Sequence, residues 1–158
     1  MVVLRARESA RRASLAESIA RIAFERRLVW IIAGDPHLAR QTGADGVHFP
    51  DRTITLAACW RARRRHWLIT CAAHSLASCV RASRAGADAV FLAPVFSTQS
   101  HPGRDVLGPL RARLIAAQIN IPAYALGGID AHSVKRLSCG RFCGLAAVGA
   151  LAVEDPQA

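Results

Sequence analysis

Seven short apolar runs, each followed by a stretch with helical character, restrict this chain more than any other feature. The runs are "VVL" (2–4), "LVWIIA" (28–33), "GVHF" (46–49), "WLITC" (67–71), "AVFLA" (89–93), "AYAL" (123–126) and "GLAAV" (144–148). A strand with one wet face alternates apolar and polar residues. These runs do not alternate, so both faces expect burial. After the first run, Leu15, Ile19, Ile22 and Ala23 recur at helical spacing on one face, with Glu17 and Arg21 an i,i+4 pair on another. Asp35 and Pro36 open a short helix toward Gln41, and Thr53 caps one running to about Arg61. Ser75 caps a helix that Gly86 ends; further helices are expected over 108–120 and 130–140, and "GALAVED" after the last run is a short helix or tail. Strand and helix alternate throughout, which means a parallel β/α architecture.

No Gly-x-Gly-x-x-Gly follows the first strand, which weighs against a dinucleotide-binding sheet. The units are short and regular, about 20–25 residues each, as in a TIM-type (β/α)₈ barrel. Only seven strands are found, however, and 158 residues is below the usual barrel minimum of about 200. The expectation is a single domain over 1–158, a barrel lacking one βα unit.

Composition removes several function classes. No apolar run nears the ~20 residues of a membrane helix. In "MVVLRARESARR" charge follows the apolar residues, the reverse of a signal peptide, so the chain reads as cytoplasmic with no membrane partner. Five scattered cysteines, with no C-x-x-C, read as reduced and mostly buried thiols; Cys139 and Cys143 lack the second pair that structural zinc wants. The net charge is +10. Yet Lys135 is the only lysine, alanine is abundant and aromatics are few, a coding bias rather than a nucleic-acid surface. The basic run "RARRRH" (61–66) precedes a strand, which puts it on the N-terminal face as a solvated helix end.

In a β/α barrel the chemistry stands at the C-terminal strand ends, with phosphate held by the loops after the last two strands. Here those loops contain Gly127 and Gly128, then Val148 and Gly149, and both lead into expected helix N-termini that suit an anion. Other strand ends supply Arg5 and Arg7, Asp35, and His74 with Ser75. His48 lies inside its strand and reads as structural. His74 lies past the end of one, where histidine serves as acid or base. The loop "APVFSTQSHPG" (93–103) adds Thr98, Ser100 and His101, an unusual density of hydroxyls for a plain connector.

Taken in series, "GADGVHFP", "AAHS", "AGADAVFLAPVFSTQSHPG", "IPAYALGGI" and "GLAAVGAL" resemble the thiamine phosphate synthase/TenI family over nearly the whole chain. The resemblance implies a (β/α)₈ barrel, often dimeric. Thiamine phosphate synthase joins a pyrimidine diphosphate to a thiazole phosphate and releases diphosphate with Mg²⁺. Carried over, it places thiazole phosphate on Thr98, Ser100, Gly128, Val148 and Gly149, diphosphate on Arg5 and Arg7, and the metal on Asp35. It also marks departures. His101 stands where a synthase has lysine, Ala72 where it has serine, and Thr53 where a second metal-binding aspartate is expected, with Asp51 two positions away. "GVHFP" and "AAHS" look more like the TenI branch, some of whose members are thiazole tautomerases that need no metal. The reading leans slightly to that chemistry, with His74 as the acid/base and His101 as a second catalytic candidate. Synthase activity and a non-catalytic phosphate-binding barrel are the alternatives. The family has an apolar strand and helix before the position of "VVLRAR". A start codon assigned too late or a degenerate fragment accounts for their absence, and the unpaired edges then invite a homodimer.

Overall fold

The computed structural model describes residues 1–5, 9–98, 105–137 and 141–148. Seven strands, β1 (Val2–Leu4), β2 (Trp30–Ala33), β3 (Gly46–Phe49), β4 (Leu68–Ala73), β5 (Ala89–Leu92), β6 (Ala123–Leu126) and β7 (Gly144–Ala146), form one parallel sheet in sequence order. The sheet curls into an incomplete barrel, with helices α1 (Ser9–Glu25), α2 (Pro36–Gln41), α3 (Leu56–Arg63), α4 (Leu76–Arg84) and α5 (Pro109–Ala117) between strands. The central strands β3 and β5 are buried at every residue, as their unalternating sequences require. Among the described residues β1 pairs with β2 alone and β7 with β6 alone, and both are correspondingly more exposed. No helix among the described residues is long and apolar enough to cross a membrane.

Several expectations need correction. In α1 the buried face is Ala16 and Ala23, with Ile19 and Ala20 packed against the core; Leu15 and Ile22 are exposed. The small side chains turn inward because they let the helix approach the sheet closely. Among the described residues the ion pairs join Arg12 to Asp35, Arg61 to Asp88 and Arg81 to Asp51, so Glu17 and Arg21 do not pair. Thr53 caps no α-helix. It closes a 3₁₀ turn (Asp51–Thr53), its hydroxyl donating to the Pro50 carbonyl at 3.1 Å. Over 130–140 the expected α-helix is a 3₁₀ helix, Ser133–Leu137. Of the cysteines, Cys71 and Cys79 are buried, whereas Cys59 and Cys143 are exposed. Burial, with a smaller contribution from Asp51, pushes the Cys71 and Cys79 thiols up to about 12 and about 11, which keeps them protonated.

Two of the expected caps are formed. The Asp35 carboxylate accepts from Leu38 N–H at 2.9 Å, and Ser75 and Ser78 make a reciprocal capping box on α4. A repeated device sits at the other strand ends. Asp45 and Asp88 each follow a Gly-Ala pair, and each carboxylate accepts the amide of the preceding strand, Trp30 N–H at 2.9 Å and Ile69 N–H at 2.7 Å. Arg61 is no solvated helix end: it pairs with Asp88 and donates to the carbonyls of Gly86, Arg65 and Trp67. It ties α3 to the starts of β4 and β5.

Aromatic rings bridge neighbouring strands. His48 meets Phe91 edge-on at 5.3 Å, and Phe91 stacks on Tyr124 at 5.5 Å. His48 Nδ1 shares a 2.9 Å hydrogen bond with the Thr70 hydroxyl, which confirms its structural role. Burial, and secondly the nearby Arg5 charge, lower its pKa from 6.5 to about 4. Between those values the unfolded chain binds a proton that the folded chain refuses. Stability is therefore complete above about pH 6.5 and falls by about 3 kcal/mol as pH drops toward 4. Urea unfolding across that range is expected to show this slope, and His48→Gln is expected to flatten it.

Candidate active site

The loop after β5 and the loop after β6 are built against each other. Val95 N–H donates to the Leu126 carbonyl and Phe96 N–H to the Gly127 carbonyl, each at 3.0 Å, so the start of the loop after β5 stays bonded to the end of β6. Such an approach needs glycine. A methyl group at Gly127 would sit 2.8 Å from Pro94 Cα, and one at Gly128 would overlap the Ser97 carbonyl oxygen. Both glycines also have positive φ, +94° and +63°. This places Thr98, half-buried, beside the Gly127–Gly128 turn. The pairing of Leu126 with Ala146 carries Val148 to the level of Gly128 on the neighbouring strand. Among the described residues no acceptor is found for the Gly128 N–H, which leaves it available to an anion.

The turn is pinned from behind. The Ser133 hydroxyl donates to the Gly128 carbonyl at 2.8 Å and accepts from Asp130 N–H at 2.9 Å. The Asp130 carboxylate in turn accepts from the amides of His132 and Ser133. These bonds hold its pKa below the ordinary carboxylate value, the Ser133 amide contributing most. Asp130 thus takes two of the amides at the expected helix N-terminus, those of His132 and Ser133. Ser133 escapes the sequence reading, although the Asp-x-x-Ser spacing was its signal.

His74 stands just past β4, exposed. Its Nδ1–H donates to the Ala93 carbonyl at 2.6 Å, at the root of the 94–98 loop. That bond fixes the tautomer and leaves Nε2 as the basic nitrogen. Its backbone amide donates to the Ser78 hydroxyl, part of the α4 cap. Thus the structure brings His74, Thr98, Gly127, Gly128 and Val148 to adjacent strand ends, β4 to β7.

Arg5 and Asp35 lie at the same face but at the far edge, after β1 and β2. Asp35 is heavily engaged. One oxygen caps α2, and the other lies 3.9 Å from Arg12 Nη1, while Arg12 Nη2 donates to the Ala33 carbonyl. Arg12 has no signal in the sequence beyond being a polar residue on a helix. Asp51 does not stand in for the missing aspartate, because it accepts from Arg81 at 2.7 Å. Among the described residues no group of three or more His, Cys, Asp or Glu is placed to hold a metal. Asp35 supplies one carboxylate, shared with a helix cap and a guanidinium; one carboxylate plus substrate phosphate oxygens is a common way to hold Mg²⁺. Arg7, Ser100, His101 and Gly149 lie outside the described residues.

Residues 1–151 match the family model described as thiamine monophosphate synthase. A thiamine-phosphate synthase of Methanoculleus marisnigri is 31% identical over 145 residues, covering 89% of this chain and 67% of that protein. One of Gloeobacter violaceus is 30% identical over 159 residues, covering 99% of this chain and 47% of that protein. The chain spans about half the length of several of the curated relatives that it matches. Among solved structures, a thiamine phosphate pyrophosphorylase from Pyrococcus furiosus superposes with a TM-score of 0.76 at 21% identity, covering 92% of this chain and 69% of that one. That likeness shares the curled parallel fold. A family match across 151 of the 158 residues, on a barrel with its glycine turn at the expected strand end, settles the assignment: the chain belongs to the thiamine monophosphate synthase family.

Proposed function

We propose that this chain holds a phosphorylated thiazole at the C-terminal ends of β5 to β7 and joins it to a pyrimidine diphosphate, releasing diphosphate. The observation that carries the phosphate site is the Gly127–Gly128 turn packed closely on the loop after β5, with its carbonyl pinned by Ser133 and no acceptor for the Gly128 amide among the described residues. Thr98 and the loop amides orient the phosphate; Ser100 and Gly149 complete the set by their positions in sequence. Arg5 and Arg7 follow β1 and suit the diphosphate, stabilising charge as it departs. The relatives are named synthases. That favours condensation over the tautomerase chemistry to which the sequence leaned. Asp35 would hold Mg²⁺ together with the diphosphate oxygens, and the ion would offset charge on the departing group.

A second reading keeps one specific observation in its favour. His74, with Nδ1–H committed to Ala93 and Nε2 basic, is arranged as a proton carrier beside the phosphate loop. A tautomerase uses that proton transfer and needs no diphosphate.

One assay separates them. Protein is incubated with thiazole phosphate, pyrimidine diphosphate and Mg²⁺. Thiamine phosphate is expected to form, and His74→Ala is expected to lower its rate less than about tenfold, below the 10²–10⁴-fold typical of a lost acid/base. No thiamine phosphate, together with a tautomerase activity that His74→Ala abolishes, would overturn the synthase reading. Thermal stabilisation by thiazole phosphate without either product would overturn both and leave a binding barrel.

A further inference from the structure

We propose that the opposite, N-terminal face of the sheet carries a second ligand site, for a small organic phosphate. A cleft of about 550 Å³ opens there between the segments leading into β2, β3 and β4. That volume lies in the ordinary range for small-molecule sites. Its lining is apolar at Val29, Ala39, Ala44, Trp67 and Leu68, and cationic at Arg40 and Arg64, with His66 beside them. Arg40 comes from the last turn of α2 and Arg64 from the end of α3, so three separate chain segments converge on the cleft.

The charge in this cleft is unspent. The ion pairs among the described residues involve Arg12, Arg61 and Arg81, so neither Arg40 nor Arg64 is neutralised by a carboxylate. The contrast with Arg61, three residues before Arg64, is direct: Arg61 donates to three carbonyls and a carboxylate. The carboxylate in the cleft, Asp45, already accepts from Trp30 N–H. The Arg64 guanidinium lies 5.7 Å over the Trp67 ring, which orients its fork while its N–H groups remain unused. Arginine at a helix C-terminus is commonly just a complement to the dipole, but that half-charge offsets only part of each cation. It does not account for two such ends meeting over an apolar floor.

The chemistry of the lining selects the ligand class. Guanidinium forks suit phosphate oxygens. A bare inorganic phosphate would leave the apolar floor uncovered, and an uncharged apolar molecule would leave the cations unpaired. An organic body carrying a phosphate satisfies both.

Adenosine 5′-monophosphate serves as the probe, titrated calorimetrically into the full chain, with adenosine and inorganic phosphate as controls. Saturable binding is expected for the nucleotide, at least tenfold tighter than for either control. Arg40→Glu and Arg40→Ala/Arg64→Ala are each expected to weaken it tenfold or more, while Thr98→Ala changes it less than twofold. Arg40 is exposed and makes no side-chain bond among the described residues, so its reversal keeps the fold intact even if loss of the Arg64–Trp67 stack does not. Absence of saturable binding at millimolar nucleotide would overturn the proposal. So would binding that survives Arg40→Glu, or that Thr98→Ala abolishes, because the nucleotide then occupies the opposite face.

Discussion

Gly128→Ala is expected to lower affinity for thiazole phosphate at least a hundredfold while leaving most of the molecule folded. Two separate costs act at this position. The backbone has φ +63°, the left-handed region, which costs an alanine about 1–2 kcal/mol. The added methyl would also overlap the Ser97 carbonyl oxygen and lie 2.7 Å from Phe96 Cβ and 2.9 Å from the Phe96 carbonyl carbon. Two of those three atoms are backbone, so no side chain can swing aside to relieve the contact. The 94–98 loop must retreat, taking Thr98 with it, and a shift of about 1 Å in a positioning group is enough for a hundredfold loss. Gly43→Ala is the matched control. It has φ +70° but nothing within 4 Å of the added carbon. It carries the conformational cost alone, about 1–2 kcal/mol of stability, and no loss of thiazole phosphate binding. Calorimetric titration and thermal melts of both variants give the comparison. Equal binding by the two would mean that the close approach of the loops does not build the site.

The strands were legible because burial on both faces leaves runs without apolar–polar alternation, and β3, with only the buried His48 polar, and β5 coincide with such runs almost to the residue. The inward face of α1 was legible only in part. Spacing pointed to Leu15, Ile19, Ile22 and Ala23; Ile19 and Ala23 do face the core, but Leu15 and Ile22 are exposed and the small Ala16 is buried. Hydrophobicity ranks leucine above alanine; close helix–sheet packing ranks them the other way. The segment after β6 was misread for a different reason. Asp130 and Ser133 bond their own backbone neighbours and hold a tighter 3₁₀ turn, an option that helical periodicity does not weigh. The strand-end rule placed Thr98, Gly127, Gly128 and His74 at neighbouring strand ends, where the structure has them, since position along a strand is readable from sequence. It missed Ser133 and Arg12, whose roles rest on carbonyls five and twenty-one residues away. It also offered Asp35 as a metal ligand without seeing that the cap and Arg12 would compete for its oxygens.

Gly46→Ala is expected to destabilise the fold by more than about 4 kcal/mol, the exceptional end of single-substitution effects, and to deliver the chain mainly as insoluble protein. Gly46 needs no unusual backbone angle, so its requirement is purely one of space. It begins β3, buried, paired with Leu68 of β4. A methyl group there would overlap the Leu68 carbonyl oxygen and lie 2.7 Å from both the carbonyl carbon and the amide nitrogen of that residue. All three are backbone atoms of the adjacent strand, so relief requires β3 and β4 to part. The neighbours cannot follow without further loss. Asp45, one residue earlier, clamps Trp30 N–H at the start of β2, and His48, two residues later, is bonded to Thr70 on β4. Separation at Gly46 therefore strains the β2–β3 and β3–β4 contacts together. Gly86→Ala makes a contrast: its added carbon would meet the Arg61 side chain rather than backbone, at 3.3 Å, and its φ of +77° adds a conformational cost of about 1–2 kcal/mol. Soluble yield and urea unfolding of the two variants test the argument, and a Gly46→Ala protein that unfolds at the wild-type midpoint would show that β3 and β4 are farther apart than their register requires.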